Sequence, residues 1–242
     1  MEHTPEELMA AIVSREVRDG ETAAVGTLSP IPAAGLLLAH LTHAPRTIPI
    51  IINHDDYWPF RRGSKEFYDY AQKGMFDLFF LSGGQIDQAG NLNLIGIGDA
   101  DHPRVRFPGG AGSAMLYYLP KRVILFRTDH TPQSFVARVD WITSPGSSPP
   151  RVARPGGPWK VITPLVVFRF DQEAKQLRLE SLHPGVTLEE VQRRTGFTLD
   201  APAPIVTTRE PTPEELRVLR TRVRGVLAKL YPVFARTAFF SA

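Results

Sequence analysis

Four short apolar runs, "TAAVGT" (22–27), "TIPIIIN" (47–53), "FDLFFLSGG" (76–84) and "RVILFRT" (122–128), each break off into glycine or polar residues. A run of four to eight apolar residues closed by turn-forming ones reads as a strand buried on both faces. Such strands need cover on both sides, and parallel neighbours need a crossover of about a dozen residues or more. The stretches in between supply that cover: "AAGLLLAHLTH" (33–43) and "EFYDYAQKG" (66–74) have helical texture, as does "EELMAAIVSREV" (6–17) before the first strand. Thr4 can cap that leading helix, Pro5 suits its first turn, and "DG" at 19–20 ends it. The expected fold class is α/β, an open, mostly parallel sheet with flanking helices. "AMLYYLP" (114–120) is expected as a further helix, and "PQSFVARVDWITS" (132–144) as a helix running into a strand or loop.

The texture changes near residue 144. "SPGSSPPRVARPGGPWK" (144–160) is a loop by composition. "TPLVVFRFDQEAKQLRLESLHPG" (163–185) alternates as a β-hairpin turning near "DQEAKQ". Thr187 and Glu190 have capping-box spacing for a helix over 187–196, and 211–231 reads as a final helix. The organisation expected is one domain over 1–242, with an α/β core at about 10–145, the Pro/Gly loop 144–160, and a β-hairpin and helical C-terminal part over 161–242.

Bulk properties exclude several classes. A formal charge of +3, with no Lys/Arg stripe interleaved with aromatics, gives no footprint for nucleic acid. The chain has no cysteine, which removes disulfides, thiolate catalysis and cysteine-based zinc sites. The first twenty residues are acidic where an export signal is basic, and the apolar runs are too short to span a bilayer, so a cytoplasmic protein is expected.

Eight of the nineteen glycines fall within residues 81–114. Glycine loses the most entropy on ordering and packs nothing, so a concentration of it after a strand marks a place where something approaches the backbone. Gly83 and Gly84, followed by Gln85, can turn N–H groups toward a ligand as an oxyanion hole or anion cradle. Asp87 to Asn91 reads as a turn. Gly109, Gly110 and Gly112 precede the helix expected at 114, a place suited to an anion or to tight packing. Neither stretch is a P-loop or a dinucleotide fingerprint. "NHDDYWPF" (53–60) puts Asn53, His54, Asp55 and Asp56 at a strand's carboxyl end, either as acid/base groups or as a solvated loop over Tyr57, Trp58 and Phe60. No second histidine stands at ligand spacing, so no metal site is assigned. His102 and His183, each before a proline, read as turn residues, and there is no G-x-S-x-G elbow.

The long segment "FLSGGQIDQAGNLNLIGIGDADHPRVRFPGGAGSA", with "VDWITSPG", "SLHPGVTLEEVQRRTGFTL" and "DGETAAVGT", resembles the β subunits of family I CoA-transferases, in particular the glutaconate branch, over about residues 10–225. The resemblance implies a partner, a homologous α subunit in a heterodimer or heterotetramer, with the active site between the two. It implies no permanently bound cofactor, coenzyme A entering as part of the acyl-CoA substrate. The aromatic stretches "YWPF" and "MLYYLP" are candidates for part of the partner interface.

In the family's chemistry a β-subunit glutamate attacks the thioester and passes through an anhydride and a glutamyl-CoA thioester. That glutamate ends the second strand in an E-S-G or E-N-G motif. Here the position falls at Ile52 or Asn53, neither of which is a carboxylate, and the following glycine is missing. Asp55 and Asp56 are the nearby carboxylates. Gly83 to Gln85 and Gly109 to Gly112 are expected to shape the acyl and oxyanion pocket, with Asn53 to Asp56 lining it from the strand's end. The segment "SLHPG" is also similar to ring-cleaving CoA hydrolases of bacterial steroid degradation, which lack the β-subunit glutamate and use a partner carboxylate and water. The function expected is that of the β subunit of a heteromeric CoA-transferase-like enzyme acting on an acyl-CoA thioester and moving CoA between carboxylates, with a ring-cleaving hydrolase subunit or a non-catalytic CoA-ligand binder as the alternatives.

Overall fold

Thr4 starts the first helix as its residue type requires. Its Oγ1 accepts the Glu7 N–H at 3.0 Å, and the Glu7 carboxylate accepts the Thr4 N–H at 3.0 Å, closing a capping box ahead of α1 (Pro5–Glu16). α1 buries Leu8, Met9, Ile12 and Val13. Then come β1 (Thr22–Val25), α2 (Pro30–Leu41), β2 (Ile48–Ile51), α3 (Ser64–Gln72) and β3 (Leu78–Leu81). Gly35 of α2 permits the close approach of α1, because a Cβ there would lie 2.4 Å from Val13 Cγ1. The computed structural model describes residues 2–99 and 101–240, and these fall into two units: the chain up to Phe80 with the segment from Arg209 onward, and Leu81–Thr208.

In the first unit β1 lies between β2 and β3 and is parallel to both, with Val25 opposite Ile51 and Phe80, so the three carboxyl ends share one side. The outer edge of β2 is poor in donors: Pro49 has no N–H, and Ile51 donates to Tyr57 O at 2.9 Å. Trp58, Phe60, Phe67, Tyr70, Phe76 and Phe79 form a linked aromatic cluster around α3. Phe60 of "YWPF" is thus core, which withdraws that ring from any partner surface.

The second unit contains β4 (Gln85–Ile86), β5 (Leu92–Asn93), β6 (Gly96–Gly98), β7 (Pro103–Arg106), α4 (Ser113–Leu116), β8 (Arg122–Phe126), β9 (Pro158–Ile162), β10 (Val166–Asp171), β11 (Gln176–Leu182), α5 (Leu188–Arg193) and β12 (Val206–Thr207). β8–β9 and β11–β12 are parallel, whereas β9–β10 and β10–β11 are antiparallel. Setting aside the two-stranded antiparallel ribbons β4–β5 and β6–β7, four of the described pairs, counted with β1–β2 and β1–β3, are parallel against two antiparallel, the mostly parallel α/β class expected. The β10–β11 hairpin turns at 172–175 as expected. The chain then re-enters the first unit as α6 (Pro213–Val218), a π-helical turn (Leu219–Val223), α7 (Arg224–Leu227) and α8 (Pro232–Thr237).

Three local expectations are corrected. Residues 132–144 form no helix, because Thr131 and Ser134 bond each other's backbone and the segment gives bridges to Ile86 and Leu92 instead. The helix expected at 114–120 shortens to Ser113–Leu116. Tyr117 turns inward, its hydroxyl donating to Gly90 O at 2.6 Å, so "MLYYLP" also contributes to the core. The helix expected over 211–231 is broken by the π-helical turn and ends at Leu227.

Candidate functional site

In the first unit the loop after β2 turns back at once. His54 donates to Ile51 O at 3.1 Å, and Tyr57 donates to His54 O at 3.1 Å. Asn53 takes φ 65°, a left-handed conformation that asparagine tolerates better than most residues, and it is exposed at the strand's carboxyl end. Ile52 is half-buried and donates its N–H to Val25 O at 3.3 Å.

His54 is fully engaged. Its Nδ1 accepts the Asp56 N–H at 3.1 Å and its Nε2 lies 3.4 Å from Val226 O, which puts the ring proton on Nε2. The ring is buried edge-on against Tyr57, centroids 5.0 Å apart. Asp56 pairs with Lys229 at 2.7 Å, and that hydrogen bond holds its carboxyl below the usual carboxylate range. Asp55 is exposed and forms no hydrogen bond or ion pair among the described residues. His54 therefore orients the loop, Asp56 is tied to a cation, and the side chains presented outward are Asn53 and Asp55.

In the second unit the glycine segment folds on itself. Asp87 accepts the Asn91 N–H at 3.0 Å and the side-chain amide of Asn91 at 3.1 Å, making the turn that joins β4 to β5. The Gly84 N–H donates to Asn93 O at 2.8 Å, and the Gly109 N–H donates to the next carbonyl, Leu94 O, at 3.0 Å. One β5 strand end thereby brings together the two glycine stretches that the sequence singles out. The Gly84 N–H is spent inside the loop, and glycine is required there by packing: a Cβ would sit 2.2 Å from the Phe107 ring. Gly110 accepts the Ser113 N–H at 2.8 Å, with Ala111 left-handed (φ 44°) and Gly112 leading into α4.

Beneath these stretches lies a buried polar cluster of which sequence reasoning named only Gln85, and the structure buries that side chain. Gln85 Oε1 accepts from Asn93 Nδ2 at 2.7 Å and from the Asp140 N–H at 3.0 Å, while Asn93 Nδ2 also donates to Gly96 O at 2.7 Å. Gln85, Asn93 and Gly96 lie in the glycine segment, and the fold adds Asp140 from a stretch 55 residues beyond Gln85. Arg127, just past β8, donates to Gly83 O and to the Asp129 carboxylate, its Nε at 2.8 Å.

His183, expected as a turn residue, is buried. Its Nε2 is 2.8 Å from Thr163 O and its Nδ1 2.9 Å from Thr208 Oγ1. His130 is buried between Thr163 Oγ1 and Thr195 Oγ1, each at 2.9 Å, and burial lowers its pKa to about 4. His102 is an exposed turn residue, its N–H bonded to Asp99 at 3.1 Å.

In open α/β sheets ligands gather beyond the carboxyl ends of the strands, and the 53–56 loop of the first unit stands at such an end. A model of the coenzyme A transferase family matches residues 51–194. The chain is similar to the β subunit of the glutaconate CoA-transferase of Acidaminococcus fermentans, 27% identical with 91% of this chain and 92% of that one covered. It is similar also to the β subunit of the 3-oxoadipate CoA-transferase of Pseudomonas knackmussii, 30% identical with 90% and 92% covered. Among solved structures, IpdAB of Rhodococcus jostii RHA1 matches with a TM-score of 0.79 at 26% identity, covering 91% of this chain and 94% of that one. The chain belongs to the coenzyme A transferase family, and within it to the β-subunit type. No helix among the described residues is long and apolar enough to cross a membrane.

Proposed function

We propose that this chain is one subunit of a heteromeric enzyme acting on an acyl-CoA thioester, in which it binds and polarises the acyl group while the attacking oxygen comes from a partner chain or from water. The observation that carries this reading is Asn53. A carboxamide, held left-handed and exposed, stands just past β2 at one of the two positions, Ile52 or Asn53, where the family resemblance implies a carboxylate nucleophile, and neither residue is a carboxylate. An amide cannot form an anhydride, but its N–H donors can stabilise the oxygen of a tetrahedral intermediate. Loss of one such donor costs about a hundredfold or more in rate.

In the hydrolytic form of the reaction, water adds to the thioester carbonyl and the C–S bond breaks, giving a carboxylate and the CoA thiol. Coenzyme A enters as part of the substrate, and the partner is a homologous α-type subunit in a heterodimer or heterotetramer. Support for the heteromer comes from relatives that are themselves named as single subunits of CoA-transferases.

A second reading is favoured by Asp55, exposed two residues beyond Asn53 and without a hydrogen bond or ion pair among the described residues, though within the field of Lys229. As a displaced nucleophile it would restore CoA transfer between carboxylates, the activity named for two relatives. The test is to co-purify the chain with its partner and follow both free thiol and the acceptor's new CoA thioester from acyl-CoA esters, with and without an acceptor carboxylate. Release that needs no acceptor, falls at least tenfold in Asn53→Ala and survives in Asp55→Asn supports the first reading. Formation of the acceptor's CoA thioester without free thiol, abolished in Asp55→Asn, supports the second. A complex that binds the ester but never turns it over leaves a non-catalytic binder.

A further inference from the structure

The peptide group between Gly83 and Gly84 is held at both of its polar ends. Its carbonyl accepts from Arg127 Nη1, and its N–H donates to Asn93 O at 2.8 Å. A peptide unit is planar, so fixing both ends fixes the orientation of the whole group and of its neighbours on either side. Arg127 is itself oriented. Its Nε and Nη2 both bond the Asp129 carboxylate, and its own N–H donates to Ile162 O at 3.0 Å, tying it to β9. The guanidinium thus spans a carbonyl on one side and a carboxylate on the other, a two-sided task that its planar fork performs and a lysine ammonium performs only in part. Gly83 is buried, and a Cβ there would be 3.2 Å from Gln85 O, so no side chain of its own steadies it.

We propose that Arg127 is a positioning residue, oriented by Asp129, that fixes the Gly83–Gly84 peptide plane so that this loop meets an acyl-CoA thioester in one orientation. The proposal rests on the acyl-CoA reading above. On that reading the glycine loop shapes the acyl pocket, and a displacement of about 1 Å there costs on the order of a hundredfold in rate. Arg127 lies beyond the last residue of β8, with its side chain 21% exposed and that of Asp129 40% exposed.

The test uses the full chain co-purified with its partner, as wild type and as Arg127→Met, Arg127→Lys and Asp129→Asn. Hydrogen exchange at the Gly84 amide reads the pinning directly and needs no substrate. The expected result is faster exchange in Arg127→Met, a smaller increase in Arg127→Lys, and the rest of β8 and β9 unchanged. Thiol release from an acyl-CoA ester reads the consequence: kcat falls about a hundredfold in Arg127→Met with KM within about threefold of wild type, and Arg127→Lys recovers part of it. Unchanged Gly84 exchange overturns the proposal whatever the activity. Faster exchange with unchanged kcat overturns the positioning role and leaves a merely structural clamp. A wild-type complex that binds no CoA ester overturns the acyl-CoA reading itself, and the positioning role falls with it.

Discussion

Glu7 and Arg220, 213 residues apart, form a two-pronged ion pair on a fully buried carboxylate, Nε to Oε1 at 2.7 Å and Nη2 to Oε2 at 3.0 Å. The pair joins the first turn of α1 to the π-helical turn near the C-terminus. Removing one partner strands a buried charge, for which about 3–5 kcal/mol is the usual loss. Arg220→Met is expected to lose that much in urea unfolding. The double variant Glu7→Gln/Arg220→Met should recover part of it, because no charge is then left unpaired and the amide oxygen can still accept the Thr4 N–H.

Gly84 tolerates no side chain while Phe107 lies on it. Gly84→Ala places a Cβ 2.2 Å from the ring, and overpacking of this kind costs about 1–3 kcal/mol. Adding Phe107→Ala should restore part of the loss, and a thermodynamic cycle over the two sites should show coupling well above the scatter for distant pairs. Simple additivity would mean that the loop tolerates the methyl by moving elsewhere.

Acid should loosen the second unit through His130. Burial lowers its pKa from the ordinary 6.5 to about 4, with Asp129 opposing the shift and Arg194 adding to it. Above pH 6.5 the ring is neutral in both folded and unfolded chains, and its full contribution is present. As pH falls from 6.5 toward 4 the unfolded chain binds a proton that the folded one refuses, so stability declines by about 3 kcal/mol in all. Urea midpoints between pH 7 and pH 4 should show this decline, and a His130→Gln variant should show a shallower one.

Lys229 sets the ionisation of Asp56. Replacing it by glutamine removes the hydrogen bond and the charge that favour the carboxylate, so the Asp56 pKa should rise toward the ordinary range in a carboxyl carbon NMR titration. No rise would mean that the loop holds Asp56 by other means.

Much of this architecture is legible because local chemistry and tertiary structure agree. Thr4 caps α1 as its spacing predicts, and the strands at 22, 48, 78 and 122 lie within the apolar runs that announce them. Agreement is partial at Thr187, whose Oγ1 accepts the Glu190 N–H at 3.2 Å while the Glu190 carboxylate turns to Arg194. The segment 132–144 misleads because its apolar spacing says helix while Thr131 and Ser134 satisfy the backbone locally. At the site, position was legible and role was not. Asn53 to Asp56 do end a strand, but only the fold shows His54 spent on Val226 O and Asp56 on Lys229. The Gln85–Asp140 bond and the Arg127 clamp on Gly83 join residues 55 and 44 positions apart, beyond the reach of any periodicity.

The most direct test is hydroxylamine trapping on the co-purified complex incubated with an acyl-CoA ester, followed by peptide mass spectrometry. Hydroxylamine converts a carboxyl-bound acyl or CoA group to a hydroxamate on the residue that carried it. With Asn53 in place of a nucleophile, no hydroxamate is expected on the peptide spanning residues 48–60, while CoA thiol is released and any adduct is confined to the partner. A hydroxamate on Asp55 or Asp56 would contradict this, showing that this chain supplies the nucleophile after all.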